Sequence, residues 1–453
     1  MRVTRAAACT APEEKTAMTT KEDSTSFRIL DLPPELVEQI FDHLTEHDEH
    51  ALPNVRRVCR AFRDLSFKPF GTKYFQHLIV MLHPLSLRIL LDIAHHRRLS
   101  RYVKQITVSG ERIGGIINML GHEDEQMNQD LQTRMLNSGT DHLMLTRIFG
   151  KLSGLNLGVV RIDNESFRVN HYPNALRCGS RYIFKGVTAT NMELSQDWEN
   201  PAVSAVVTSL IEAGILPCLE MVLNVNTATC ENFFDPTDAL WKTDIGERIM
   251  LLELTGELDS QWALELLRSA TGLYHLEVHF AERLFGLSHP ETGLLKWPEL
   301  QTLYLHNVNC DGQDLRDFFS AHMNTLSSIY LYEVHLMSGS WKDIFPIWRK
   351  QLSLQQLTVD ILTETTAPAT QLKPFWVELP KIEDLPPLKT TYSSRDDIVE
   401  MLDALLHDFS TTDFQHSVGY LDSPMYRVDF RLACAVHVGR AEIRDGLCHL
   451  LEL

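Results

Sequence analysis

The sequence predicts an α/β protein in which a small helical unit precedes a long array of strands and helices. Three observations predict it. Within residues 27–70, two stretches carry apolar residues at helical spacing. From Ile249 onward, a Leu-x-x-Leu-x-Leu pattern, with other aliphatics allowed, returns through five periods. Between its returns lie stripes of helical period, so each period supplies one strand and one helix. At 453 residues the chain is long enough for roughly three folding units, and 44% hydrophobic with 23% charged residues fits a globular composition.

Residues 1–26, rich in Thr, Ala and charge and without periodicity, read as a disordered tail. The fold is expected to start at Phe27. Pro33 and Pro34 suit a helix entry, because first-turn amides have no intrahelical partner to lose. Leu36, Val37, Ile40, Phe41 and Leu44 then form one apolar face, with Glu35, Glu38, Gln39 and Asp42 opposite. A polar loop over 45–50 separates this helix from a second, begun by Pro53, with Val55, Val58, Cys59, Phe62 and Leu65 on one stripe. Arg56, Arg57, Arg60 and Arg63 line its other side. Two helices of about three turns cannot bury both apolar faces alone, so the unit must pack on something else.

Leu32-Pro33-Pro34-Glu35-Leu36, Ile40 and Leu44 at helical spacing, Leu52, then Val58-Cys59 and Phe62 resemble, in order, the F-box pattern. The loop around Glu46 to His50 is two or three residues longer than usual in that family. The resemblance implies that residues 27–70 bind the Skp adaptor, and through it a cullin, in a Skp, cullin and F-box (SCF) ubiquitin ligase. It also implies an adaptor-binding set of Leu32, Pro33, Leu36, Ile40, Leu44, Val58, Cys59 and Phe62, some of which are also core. The arginine-rich side would steer an acidic partner there.

Beyond the F-box, Leu85 to Leu91 reads as a helix and Tyr102 to Val108 as a strand. The repeated triplets are Ile249, Leu252, Leu254; Leu273, Leu276, Val278; Leu300, Leu303, Leu305; Leu326, Ile329, Leu331; and Leu354, Leu357, Val359. Their steps of 24, 27, 26 and 28 residues lie in the leucine-rich-repeat range, which predicts an irregular leucine-rich-repeat-like solenoid over 71–360. Earlier, less regular returns are Val103, Ile106, Val108; Leu157, Val160, Ile162; and a weaker one near Leu219 and Val222. The helical stripes comprise Leu315, Phe318 and Phe319, then Trp341, Ile344, Phe345 and Trp348 behind Ser340 as N-cap. Val308 and Val334 stand where such repeats often have Asn, and this Asn-poor form looks like leucine-rich regions of fungal F-box proteins.

Residues 361–453 are expected to form a Pro-rich cover segment and a C-terminal cap. Ser394 and Asp397 open a helix as a capping box, with Ile398, Met401, Leu402, Leu405 and Phe409 on its apolar stripe. Tyr426, Val428, Phe430, Leu432 and Cys434 alternate as a strand, and a last helix follows from about Arg440.

In each repeat strand, residues alternating with the buried leucines face the opposite side of the sheet. That predicts a concave surface bearing Glu253, Thr255, Glu277, His279, Tyr304, His306, Tyr330, Tyr332, Thr358 and Asp360. The target-binding set within it is Glu277, His279, Tyr304, His306, Tyr330 and Tyr332, since rigid amphipathic rings favour binding hot spots.

Net charge is -18 but unevenly spread. Residues 51–112 are net basic and 191–260 net acidic, so an acidic protein is the expected partner and nucleic acid is not. No apolar run is long enough to span a bilayer and the start lacks a signal-like apolar segment, so a cytoplasmic or nuclear location without membrane attachment is expected. Eight widely spaced cysteines read as free core thiols. There is no GxGxxG, P-loop, HExxH or GxSxG, and His43, His47 and His50 with their acidic neighbours read as a solvated loop. No catalytic residue, cofactor or metal is therefore expected. The leading reading is a non-catalytic substrate receptor of an SCF ligase with an unknown protein substrate. The alternatives are an interaction scaffold without target ubiquitination and an enzyme with an unrecognised site.

Overall fold

The computed structural model describes residues 29–47, 51–113, 123–163, 175–183, 201–225, 235–237, 241–256, 261–279, 288–289, 293–365, 375–377, 391–392 and 394–411. The expected N-terminal tail, the strand at Tyr426 to Cys434 and the helix after Arg440 lie outside them. The chain divides into two units, Met1–Pro69 and Phe70–Leu453.

The first unit begins with a short 3₁₀ turn, Ile29–Asp31, and α1, Pro34–His47. Helix α1 thus takes in residues assigned to a loop by sequence. The expected second helix is two pieces, α2 (Ala51–Val58) and α3 (Arg60–Leu65). Cys59 separates them: its backbone is extended, at φ -159° and ψ 168°, and its Sγ accepts the Phe62 amide at 3.4 Å as an N-cap. Breaking the helix there takes Val58 and Cys59 off the buried stripe. Helix α4, Phe67–Phe75, carries the chain across the boundary between the units.

The second unit is mixed α/β and built on one large, mainly parallel sheet. Its strands are β1 (His77–Met81), β2 (Gln105–Ser109), β3 (Val159–Asp163), β4 (Leu176–Arg177), β5 (Cys218–Val225), β6 (Ile249–Gly256) and β7 (His275–His279). After a separate small ribbon of β8 (Ser288–His289) and β9 (Gly293–Leu294) come β10 (Thr302–Asp311), β11 (Ser328–Ser338), β12 (Gln356–Glu364), β13 (Phe375–Val377) and β14 (Thr391–Tyr392). The order is β13-β12-β11-β10-β7-β6-β5-β3-β2-β1-β4, with β14 also on β12. From β1 to β12 each parallel strand therefore lies beside its predecessor in the array, save for β4, which returns to β1.

Helices connect the strands: α5 (Pro84–His95), α6 (Glu123–Ser138), α7 (Thr140–Leu152), α8 (Ser180–Ile183), α9 (Pro201–Ala213), α10 (Gln261–Ser269), α11 (Gly312–Ala321), α12 (Trp341–Lys350) and α13 (Arg395–Thr411). All fifteen residues of the five triplets from Ile249 to Val359 are buried. The helices contribute Leu315, Phe318 and Phe319 of α11 and Trp341, Ile344, Phe345 and Trp348 of α12 to the same core. Asp311 caps α11 by accepting the Gln313 and Asp314 amides, and Ser340 caps α12 through the Lys342 amide, as its position predicts. In the long strands, Asn307 and Glu333 both have φ +53°. This repeated left-handed step puts the next residues, Val308 and Val334, into the core in register with each other.

Several expectations need correction. Strand β1 and helices α6 and α7 are additions, and the strand expected from Tyr102 starts only at Gln105 after a 3₁₀ turn, Ser100–Tyr102. Strand β5 alternates without interruption, so Leu219, Met221 and Leu223 are buried while Val222 lies on the other face; the register irregularity beside it falls at Met250 of β6. Leu157 is only half-buried. Strand β12 continues past Ile361 to Glu364, and β13 and β14 pair with it antiparallel. Ser394 Oγ accepts the Asp397 amide at the start of α13, where Ile398, Met401 and Leu402 are buried as expected. Cys178 and Cys310 are buried thiols, but Cys59 is exposed.

Candidate functional site

Parallel in-register pairing places side chains one repeat apart next to each other on one face. Glu253 lies beside Glu277, Glu277 beside Tyr304, and Tyr304 beside Tyr330 and then Thr358. The next row is Thr255, His279, His306 and Tyr332, and the backbone of Asp360 pairs in register with Tyr332. The sequence-predicted residues are thereby brought together, mostly half-buried, although Thr358 is fully buried. Tyr304 lies 5.9 Å from Tyr330 and 5.3 Å from both Tyr332 and His279, measured between ring centroids.

Beside the rings is a connected polar group. His279 Nε2 is 2.8 Å from Glu277 Oε1 and 3.8 Å from Glu253 Oε1, while its Nδ1 is 3.3 Å from His306 Nδ1. His275 Nε2 reaches the other oxygen of Glu277 at 3.4 Å. Arg161, on β3, bridges Asp163 and Glu220 and approaches Glu253 Oε2 at 4.0 Å. Burial, with Glu277 close by, pushes the Glu253 carboxyl up to about 7. Burial would also raise Glu277, but hydrogen bonds from His275 and His279 outweigh it and hold Glu277 down at about 2. Tyr304 is pushed up to about 12 by burial and the nearby Glu277, and His306 is lowered by burial and by His279.

Among the described residues, the side chains on this face are half-buried from Glu220 on β5 to Tyr332 on β11, and the face is covered at the β1 end. There Ile79 and Met81, on the same face as Arg161, pack with Ile113, Ala175 and Ile183. Sequence reasoning began the face at Glu253 and so missed Arg161, Asp163, Glu220 and His275. Their alternation with buried Val160, Ile162, Leu219 and Leu276 was the available signal.

In the first unit the apolar residues of α1 separate into two sets. Val37 and Phe41 are buried, and Phe41 meets Phe62 edge-on at 5.7 Å. Leu36 and Leu44, expected on the same face, are 45% and 38% exposed, and Val58 on α2 is 68% exposed. Pro33 and Cys59 are exposed too, with Leu32, Ile40 and Phe62 half-buried. The unit thus presents several large apolar side chains at its surface. Residues 29–71 match the F-box-like family. The chain carries an F-box-like domain there. No curated protein matches the chain.

The F-box surface also revises the expected arginine row. Arg57, Arg60 and Arg63 are exposed, but Arg56 turns inward, donating to the Arg63 carbonyl at 2.9 Å and lying over the Phe67 ring at 5.4 Å. Arg56 is a brace of the domain, so three arginines remain on its outer side. Among the described residues no helix is long and apolar enough to cross a membrane.

Proposed function

We propose that this protein is the substrate-recognition subunit of an SCF-type ubiquitin ligase. The F-box-like domain holds the Skp adaptor, which links it to a cullin, and the chain itself breaks and makes no bonds. The observation that carries this reading is the exposure of Leu36, Leu44 and Val58 within a matched F-box-like domain. Buried residues would serve folding alone, whereas exposed apolar residues fit a partner. The parallel array, with its strands in chain order and a strand-helix alternation, supports an irregular leucine-rich-repeat-like solenoid of the type found in fungal F-box proteins. Its open face, with Glu277, His279, Tyr304, His306, Tyr330 and Tyr332, is the surface offered to a target protein.

Co-expression with a Skp adaptor tests the reading. Wild-type protein should co-purify as a one-to-one complex that captures a cullin. The Leu36→Glu, Val58→Glu double variant changes only exposed positions, so it should remain folded and lose adaptor binding by a hundredfold or more, consistent with about 2 kcal/mol per truncated hot spot plus buried charge. A folded wild type that ignores the adaptor would refute the proposal. Adaptor binding without cullin capture would favour a scaffold acting outside the ligase.

A further inference from the structure

The polar group on the open face has a geometry that target docking does not require. Three donor atoms, one each from Glu253, Glu277 and His279, lie within 4.8 Å of one another. Both carboxylates turn Oε1 toward the same imidazole nitrogen, His279 Nε2, at 2.8 and 3.8 Å. The remaining polar atom of each residue meets a different outer neighbour. Glu253 Oε2 faces Arg161, Glu277 Oε2 faces His275, and His279 Nδ1 faces His306.

We propose that Glu253, Glu277 and His279 bind one divalent transition-metal ion of the zinc class. Zinc-to-oxygen and zinc-to-nitrogen bonds of about 2.0–2.2 Å set tetrahedral ligand atoms about 3.3 Å apart, and the His279 Nε2 separations of 2.8 and 3.8 Å from the two carboxylate oxygens straddle that spacing. The nitrogen and carboxylate donors, without thiolate, suit zinc and its neighbours in the first transition row. His306 would accept the Nδ1 proton of His279, and His275 and Arg161 would hold the outer carboxylate oxygens, which is the usual support around metal ligands. The ion would also relieve two carboxylates placed opposite each other on adjacent strands, an unfavourable pairing by itself. Three protein donors leave a coordination position for water or for a group brought by a partner. No complete fixed-spacing motif announces the site, because Glu277 and His279 share β7 while Glu253 is brought to them from the preceding repeat by parallel pairing, and the sequence-based expectation of no metal rested on such motifs.

The test is calorimetric titration of chelator-treated full-length protein with zinc chloride, and the cobalt adduct examined by X-ray absorption. One equivalent should bind, and Glu253→Gln or His279→Gln should weaken it at least tenfold. His335→Gln, whose imidazole instead meets Thr363 and Thr365, should leave it unchanged. The wild-type cobalt shell should contain oxygen donors and a single imidazole, a readout that holds even if a variant folds poorly. Failure to bind one equivalent, equal affinity in folded variants, or a shell of several imidazoles from the chain's other histidines would overturn the proposal.

Discussion

The F-box-like domain and the sheet unit use similar apolar patterns in opposite ways. In the sheet unit every leucine or aliphatic of the five late triplets is buried. In the domain, neighbouring turns of α1 divide: Val37 and Phe41 go inside, while Leu36 and Leu44 remain exposed. Periodicity alone therefore identifies an apolar face without saying whether its own chain covers it. On the function proposed above, the adaptor covers what the described residues of the domain leave exposed.

The comparison can be broken most directly by truncating one residue from each region. Phe318→Ala, at a fully buried site in α11, should cost about 3–5 kcal/mol in urea unfolding, whereas Leu36→Ala should fall within about 0.5 kcal/mol. Comparable losses would mean that Leu36 belongs to a core.

The sheet unit should also be the more acid-sensitive region. Burial lowers both His77 and His83 to about 4; His77 is lowered further by Arg161. For a base lowered on folding, the stabilising neutral state is fully present above pH 6.5 and lost as pH falls toward 4. Unfolding free energy should therefore drop over that window, by roughly 2 kcal/mol for His83 alone once the full value of about 3 kcal/mol is reduced for solvent screening. His83 Nδ1 caps α5 by accepting the Leu85 amide, so His83→Asn keeps an acceptor and should flatten the profile. An unchanged pH profile would show that His83 is not responsible.

A smaller effect sharpens the division of labour. Tyr304→Ala with Tyr332→Ala should leave adaptor affinity within twofold of wild type in a pull-down titration, since these residues belong to the other unit. Loss of adaptor binding in a folded variant would contradict the separation of roles. The smallest effect is expected at Cys59, where Cys59→Ser offers a better acceptor to the Phe62 amide and should raise the melting temperature by about 1 °C or less.

The order of Leu32, Pro33, Ile40, Val58, Cys59 and Phe62 made the F-box legible, and the repeat steps made the late strands legible. The helix break at Cys59 was not, because a thiol is a poor cap and the apolar stripe runs straight through it. Helix α6, Glu123–Ser138, is too polar to announce itself by periodicity, and β1 is a short apolar run that local sequence cannot separate from helix. The tyrosine and glutamate rows followed from strand alternation. The approach of Glu253 to His279, and of Arg161 to Glu253, came from packing across strands that local spacing does not encode.

Both ends of the parallel array are finished by its own chain. At one end β4 returns to lie on β1; at the other, β13 and β14 reverse direction along β12. A long parallel sheet is an invitation to endless growth, because each bare edge offers the next molecule a row of amides and carbonyls. Here the outermost strands, β4, β13 and β14, are only two or three residues long, and so short an edge leaves a neighbouring molecule little to pair with.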